Sequence, residues 1–365
     1  MNDELRRALD DLRFSDDEKA RLARNLAAAC EEPERSGKRA FAASAQPGGK
    51  RTRRTIVAVA AAACLTAAIC GGAYASGALS SMEDVFDDVF GGPPAQTEVI
   101  DKIGRPIGVS ATTNGITITA EAIVGDARSY ALVFRVEKDD GTAFEGIEPL
   151  ENGLLPLWFE NGSMLHVPGF TGSGGSSSFH DPDPADNALR FVQRMTVNTS
   201  DGTIAGKTAH VELSDLCALG PEGDRRMVAE GTWKMKFAID YEDTSVALPA
   251  GQALDVDGMD ATVEAISLSP LSLAVDYTVQ GAIGRHEGAF EQDPAARSEE
   301  LDRFRDVRMT VRLKDGTSID ASNAASSMRE QGSATACSKT FMFDAFLNLD
   351  EVASVTIGNA EVAFP

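Results

Sequence analysis

Ile107-Gly-Val-Ser-Ala-Thr-Thr-Asn-Gly-Ile-Thr-Ile-Thr-Ala-Glu-Ala-Ile-Val124 alternates apolar and polar residues on both sides of Asn114-Gly115. Asn-Gly between two alternating runs is the strongest short hairpin signal, because a two-residue type I′ turn needs φ > 0 twice. Tyr130-Ala-Leu-Val-Phe-Arg-Val136 adds a third strand after a turn at Gly125-Asp126. Further strands are expected over 155–165, 189–197, 210–213 and 233–239. Short strands with polar turns and few helices predict a mainly β architecture of the antiparallel sandwich kind.

The theme recurs. Ile118-Thr-Ala-Glu-Ala-Ile-Val124 aligns with Ala261-Thr-Val-Glu-Ala-Ile-Ser267, 143 residues later. Each is followed by a turn and an apolar alternating strand, Tyr130–Val136 in one case and Leu271–Val279 in the other. Leu157-Trp-Phe-Glu-Asn-Gly162 parallels Val311-Arg-Leu-Lys-Asp-Gly316. The expectation is two tandem antiparallel β-sandwich-like domains, 80–245 and 246–365, with a boundary near 243–251. A short helix is expected before them, over 81–90, closed by Gly91-Gly-Pro-Pro94.

Charge is divided along the 365 residues, whose net is −22. Residues 1–54 carry 13 Lys/Arg against 10 Asp/Glu, and residues 55–365 carry 21 against 46. Between Arg54 and Glu83 lie 28 residues without a charge. Such a run predicts a transmembrane helix over 55–76, since about 20 helical residues cross a ~30 Å hydrocarbon core. The basic cluster Lys50, Arg51, Arg53 and Arg54 just before it sets the topology by the positive-inside rule. The expected location is the cell membrane, single-pass, with the N-terminus cytoplasmic and the acidic β-rich part outside. Ala73-Tyr-Ala75 also fits a cleavage site, so an exported chain starting near Ser76 is the rival reading. The acidic balance excludes nucleic-acid binding by the large part, because phosphate neutralisation needs Lys and Arg.

Upstream, Leu5, Leu9 and Leu12 are at helical spacing, and Ser15-Asp-Asp-Glu18 reads as a capping box before Leu22, Leu26 and Cys30. Two short amphipathic helices over 1–30 cannot bury a core alone. Leu5, Leu9, Leu12, Leu22 and Leu26 are therefore candidate partner-binding residues. Residues 31–54 read as a flexible basic linker.

Chemistry is sparse. No nucleophile elbow or paired zinc-binding motif is present, and no catalytic residue, metal site or cofactor is expected. His166 and His210 lie in strand-like context and read as structural. Thr171-Gly-Ser-Gly-Gly-Ser-Ser-Ser-Phe179 reads as a mobile loop, because it lacks the lysine of a phosphate-binding loop. Asp181, Asp183 and Asp186 read as a solvated turn before a calcium site. Asn161-Gly-Ser163 and Asn198-Thr-Ser200 match the glycosylation pattern and mark exposed turns. Cys217 and Cys337 can pair only if the two β-domains bring them together.

The order of parts, with Thr113-Asn-Gly-Ile-Thr-Ile-Thr119, Asp126-Ala-Arg-Ser-Tyr-Ala-Leu-Val-Phe-Arg-Val136 and Phe144-Glu-Gly-Ile147, resembles an uncharacterised ectodomain family of bacterial single-pass membrane proteins similar to anti-sigma factors. The resemblance covers the span and roughly residues 80–245. It implies a non-enzymatic regulator of envelope signalling whose cytoplasmic helices hold a sigma factor while the ectodomain senses an unknown ligand. It carries over no catalytic residues, and the His/Cys zinc motif of zinc-binding anti-sigma domains is missing. An envelope binding or adhesion module without a sigma-factor partner is the alternative.

Overall fold

The computed structural model describes Phe90 and residues 102–162, 165–220, 223–283 and 294–365, all within the compact unit Ala63–Pro365. The chain forms β1 (Gly104–Thr113), β2 (Ile116–Gly125), β3 (Ser129–Lys138), β4 (Leu157–Gly162), β5 (Phe170–His180), β6 (Ala188–Thr199), β7 (Thr208–Leu219) and β8 (Arg225–Ala238). There follow β9 (Val246–Leu248), β10 (Ala253–Val256), β11 (Met259–Leu268), β12 (Ser272–Val279), the helix α1 (Pro294–Arg305), β13 (Met309–Leu313), β14 (Ser318–Asp320), β15 (Ala325–Gln331), β16 (Ala334–Met342), β17 (Val352–Ile357) and β18 (Ala360–Ala363).

Four antiparallel sheets result. One runs β1-β2-β3-β6-β5 and faces β4-β7-β8; another runs β10-β11-β12-β16-β15, with β9 also on β11, and faces β14-β13-β17-β18. The hairpin turns where Asn-Gly places it, with Thr113 opposite Ile116 and positive φ at Asn114 and Gly115. The first pair of sheets encloses one core, in which Phe159, Phe179, Phe191 and Trp233 cluster edge-on and tilted. The Trp233 indole donates to the Ile116 carbonyl at 2.9 Å, so its one polar atom is satisfied inside the core. The second pair encloses another core around Val263, Val275, Tyr277, Met309 and Val355. Tyr277 and Lys339 also fix the end of α1: the phenol donates to Phe304 O at 2.6 Å, and the ammonium to Arg305 O at 3.0 Å and Val307 O at 2.8 Å.

The two sandwiches trace one path twice. β1, β2, β3, β4, β5, β6, β7 and β8 correspond in order and in sheet position to β10, β11, β12, β13, β15, β16, β17 and β18. The local irregularities repeat too. The β2–β3 register slips at Glu121 and the β11–β12 register at Glu264, again 143 residues apart. The extra residue of a bulge bends both strands at the same point.

A third, smaller apolar cluster joins the two sandwiches. Ala122, Val124, Ala131, Val133 and Val192 point away from the first core and meet Leu271 and Phe346 of the second sandwich. Phe90 stacks on Phe346 with ring centres 4.4 Å apart. Burial on both faces accounts for the nearly unbroken apolar run of β3, which an exposed antiparallel strand does not need.

Two expectations are corrected. The expected fold class had one transmembrane helix; the described chain is instead mainly β with several antiparallel sheets, and among the described residues no helix is long and apolar enough to cross a membrane. The physical reason is that α1 has 12 residues and is strongly polar, while the apolar residues are spent in alternating strands. The segment 55–76 for which that helix was expected, the helical segment 1–30 and the linker 31–54 lie outside the described residues, as do Leu5, Leu9, Leu12, Leu22, Leu26, Lys50, Arg51, Arg53 and Arg54. Second, Thr171–Phe179 is no loop but most of β5, paired with β6 from Phe170 to His180. Composition suggested a linker, but ladder hydrogen bonds supplied by β6 outweigh the entropic cost of Gly in a strand.

Two stability predictions follow from this packing. Trp233→Ala removes the central ring and its bond to the Ile116 carbonyl, and should cost about 3–5 kcal/mol in chemical denaturation; a loss below 1 kcal/mol would show that the ring is not central. Acid behaviour has a defined sign. Backbone and hydroxyl donors of Thr317 hold the Asp315 carboxyl below its ordinary 3.8, and the Ser322 hydroxyl and N–H do the same for Asp320. A depressed folded value contributes stability above pH 3.8 that is lost as pH falls through it. D315N/D320N should therefore flatten the acid limb of the stability profile by lowering the region above about pH 4 toward the acid end, which itself changes little.

Candidate functional site

The turn between β2 and β3 and the turn between β11 and β12 are the same structure. Asp126 N donates to Ser129 O at 2.9 Å, and 143 residues later Ser269 N donates to Ser272 O at 2.9 Å. In the first turn Asp126 Oδ1 also accepts from Arg128 N (2.8 Å) and Ser129 N (2.7 Å). In the second, Ser269 Oγ accepts from Leu271 N (3.0 Å) and Ser272 N (2.9 Å).

The two turns meet. Asp126 Oδ2 accepts from the Ser269 and Ser272 hydroxyls, each at 2.6 Å. Asp126 is only 2% exposed. Burial pushes its carboxyl above the ordinary value, and the Ser269 and Ser272 hydroxyls with the two N–H groups pull the other way. Tyr241 completes the joint by donating to Asp126 O at 2.8 Å. Gly125 lies against this phenol so closely that any Cβ would overlap Tyr241.

Beside this joint a polar groove of about 790 Å³ opens between the sheets of the two sandwiches. Its walls include Thr196 and Asn198 of β6, Asp276 and Thr278 of β12, Ser327 of β15 and Ser338 of β16. These side chains share the outer faces of their sheets, because Asp276 pairs with Ser338, and Ser338 with Ser327. Among the described residues, side chains cross between the sandwiches in this groove and beside the apolar cluster. The Arg128 guanidinium grips Asp276 with two bonds of 2.7 and 2.6 Å and reaches Ser338 Oγ at 3.4 Å. Asn198 Nδ2 donates to Ser327 Oγ at 3.2 Å. Arg194 donates to Phe343 O at 2.7 Å and pairs with Asp344 at 3.3 Å. A Cβ on Gly174 would come within 3.3 Å of Ala325, so β5 and β15 nearly touch.

The sequence motifs fall elsewhere. His166 and His210 pair through their backbones, each N–H donating to the other carbonyl at 2.8 Å, and the His166 ring rests on Phe170. Asp183 and Asp186 accept from Ala185 N and Ala188 N as turn caps. Asp181 is raised by partial burial and by the Asp186 charge. Among the described residues no group of three or more His, Cys, Asp or Glu is placed to hold a metal ion. Cys217 and Cys337 are both free and buried, one in each sandwich. Sequence reasoning passed over Asp126, Arg128, Ser269, Ser272 and Asp276. The signal was available: carried two residues past Val124 and Ser267, the 143-residue offset aligns Asp126 with Ser269.

Comparisons with known proteins inform the first strands. A family described as a domain of unknown function (DUF4179) matches residues 49–138, a stretch that ends with β3. No curated protein matches the chain. A solved structure described as the crystal structure of the conserved domain protein from Bacillus anthracis is similar over 70% of this chain and 76% of that one, at 15% identity and a TM-score of 0.44.

The Arg128–Asp276 pair is an ionic link across the groove, and its two parallel bonds fix its geometry. Both side chains are about a quarter exposed, which limits its strength. A double-mutant cycle with Arg128→Ala and Asp276→Ala should return a coupling of about 1 kcal/mol, weakened by salt; a coupling near zero would mean the pair does not help hold the walls.

Proposed function

We propose that this chain is a non-enzymatic regulator of envelope signalling, in which the paired β-sandwiches recognise a polar ligand through the groove and the N-terminal segment holds a protein partner. The groove is the observation that carries the recognition half. Its volume of about 790 Å³ lies within the roughly 300–1,000 Å³ of ligand sites. Hydroxyl, amide and carboxylate groups on two rigid sheets offer directional hydrogen bonds to a hydroxylated or peptide-like ligand.

The partner half is supported by sequence. The stripe Leu5, Leu9, Leu12, Leu22 and Leu26 needs a surface to bury against, and the order of parts resembles anti-sigma factors. A sigma factor is the partner proposed, and its release would follow a change in the groove-bearing part.

The test uses the full chain in cells. Crosslinking and capture should recover a sigma-factor-like protein, and Leu22→Asp with Leu26→Asp should lose it. Thr278→Trp, which fills the groove, should abolish the response to an external stimulus while capture persists. Recovery of no transcription component after crosslinking would sink the regulator. If deletion of residues 1–48 then leaves activity intact, the chain is an envelope binding or adhesion module.

A further inference from the structure

One buried polar atom at the joint is unexplained by its own sandwich. Ser129 Oγ is fully buried and has no hydrogen-bond partner among the described residues. Its counterpart 143 residues later, Ser272 Oγ, donates to Asp126 Oδ2. Exchanging the two sandwiches turns that bond into Ser129 Oγ donating to residue 269, the counterpart of Asp126. Residue 269 is a serine, and its oxygen already accepts two N–H bonds while its proton goes to Asp126. Ser129 is left over because the two turns differ at one position.

We infer that the surface formed by the β2–β3 turn is a docking surface for a second copy of the same domain, supplied here by the chain's own second sandwich, and that the carboxylate at its centre can be carried by either copy but not by both. Four observations support this. The two sandwiches share one strand order, one bulge position and one turn. The equivalent turns touch each other rather than unrelated surfaces. The outer faces of β2 and β3 and Leu271 of the second turn share the apolar cluster around them. The orphaned hydroxyl lies where the mirrored bond would be.

The asymmetry has an electrostatic cause. An isologous contact brings equivalent residues together, so an Asp in both turns would place two buried carboxylates side by side. Like charges at such a distance cannot both ionise without large cost. One Asp against one Ser removes the repulsion and supplies an acceptor for the hydroxyls. The inference stands whatever the groove binds, because it concerns how the two walls are joined.

The experiment exchanges the partners in the full chain. Amide hydrogen exchange is followed at residues 125–129 and 268–272, with the interiors of β3 and β12 as controls for global unfolding. Ser272→Ala should speed exchange in both turns about tenfold or more, whereas Ser129→Ala should leave both within about twofold of wild type. Asp126→Ser and Ser269→Asp should each loosen both turns. The double variant D126S/S269D should return them to within about threefold of wild type, and in that background Ser129→Ala should become disruptive and Ser272→Ala mild. Additive losses in the double variant, or loosening of one turn without the other, would overturn the inference. The Ser272 and Ser129 comparison decides the matter if Asp126→Ser does not fold, since equal effects of the two would also overturn it.

Discussion

A carboxylate taken out of water must be met by donors, and each donor must be free of other obligations. Asp126 meets that constraint by drawing on both halves of the molecule. Two of its four donors are backbone N–H groups of its own turn, and two are hydroxyls of the other sandwich. The Ser269 hydroxyl has little choice of direction, because its oxygen is occupied by Leu271 N and Ser272 N. The apolar cluster around Leu271 and Phe346 supplies attraction between the sandwiches but little orientation, since dispersion and burial are non-directional. The hydrogen bonds at Asp126 supply the orientation. The groove opens beside this joint, between outer faces of the two sandwiches.

The repeated architecture accounts for such a joint. A single sandwich with the apolar residues Ala122, Val124, Ala131 and Val133 on its outer face carries an exposed patch that water disfavours. A second copy covers it. The cost is that equivalent residues face each other, which is tolerable for Val and Leu and intolerable for two carboxylates. The serine at position 269 removes the conflict and leaves the Ser129 hydroxyl without its mirrored bond. The two sandwiches differ at the bulge as well: Glu264 lines the groove wall, while its counterpart Glu121 is buried and raised by that burial, with Arg190 and Arg135 opposing.

Much of the β architecture was legible because its signals are local. The Asn114-Gly115 turn, the alternation in β1 and β2, the run of β3 and the 143-residue offset all depend on neighbours in sequence. One reading failed where the deciding partner is distant. The Gly/Ser run of β5 is extended because β6 pairs with it along its length. The transmembrane helix rested on an uncharged run alone, and the helix that the described residues do contain is short and polar. The candidate site was harder still. Nothing in the composition of Asp126 or Ser269 distinguishes a turn cap from an interdomain joint, and Arg128 and Asp276 are 148 residues apart.

The sequence by itself determined that this chain builds β-hairpins, that it does so twice with one spacing, and that its large part is acidic. Those properties reside in side-chain alternation, in the φ preferences of Asn and Gly, and in counted charge. The tertiary structure alone decided which turns touch, which carboxylate is buried, and where a groove opens. Each of these depends on donors and acceptors brought together across more than a hundred residues, and a hydrogen bond exists only where distance and angle allow it.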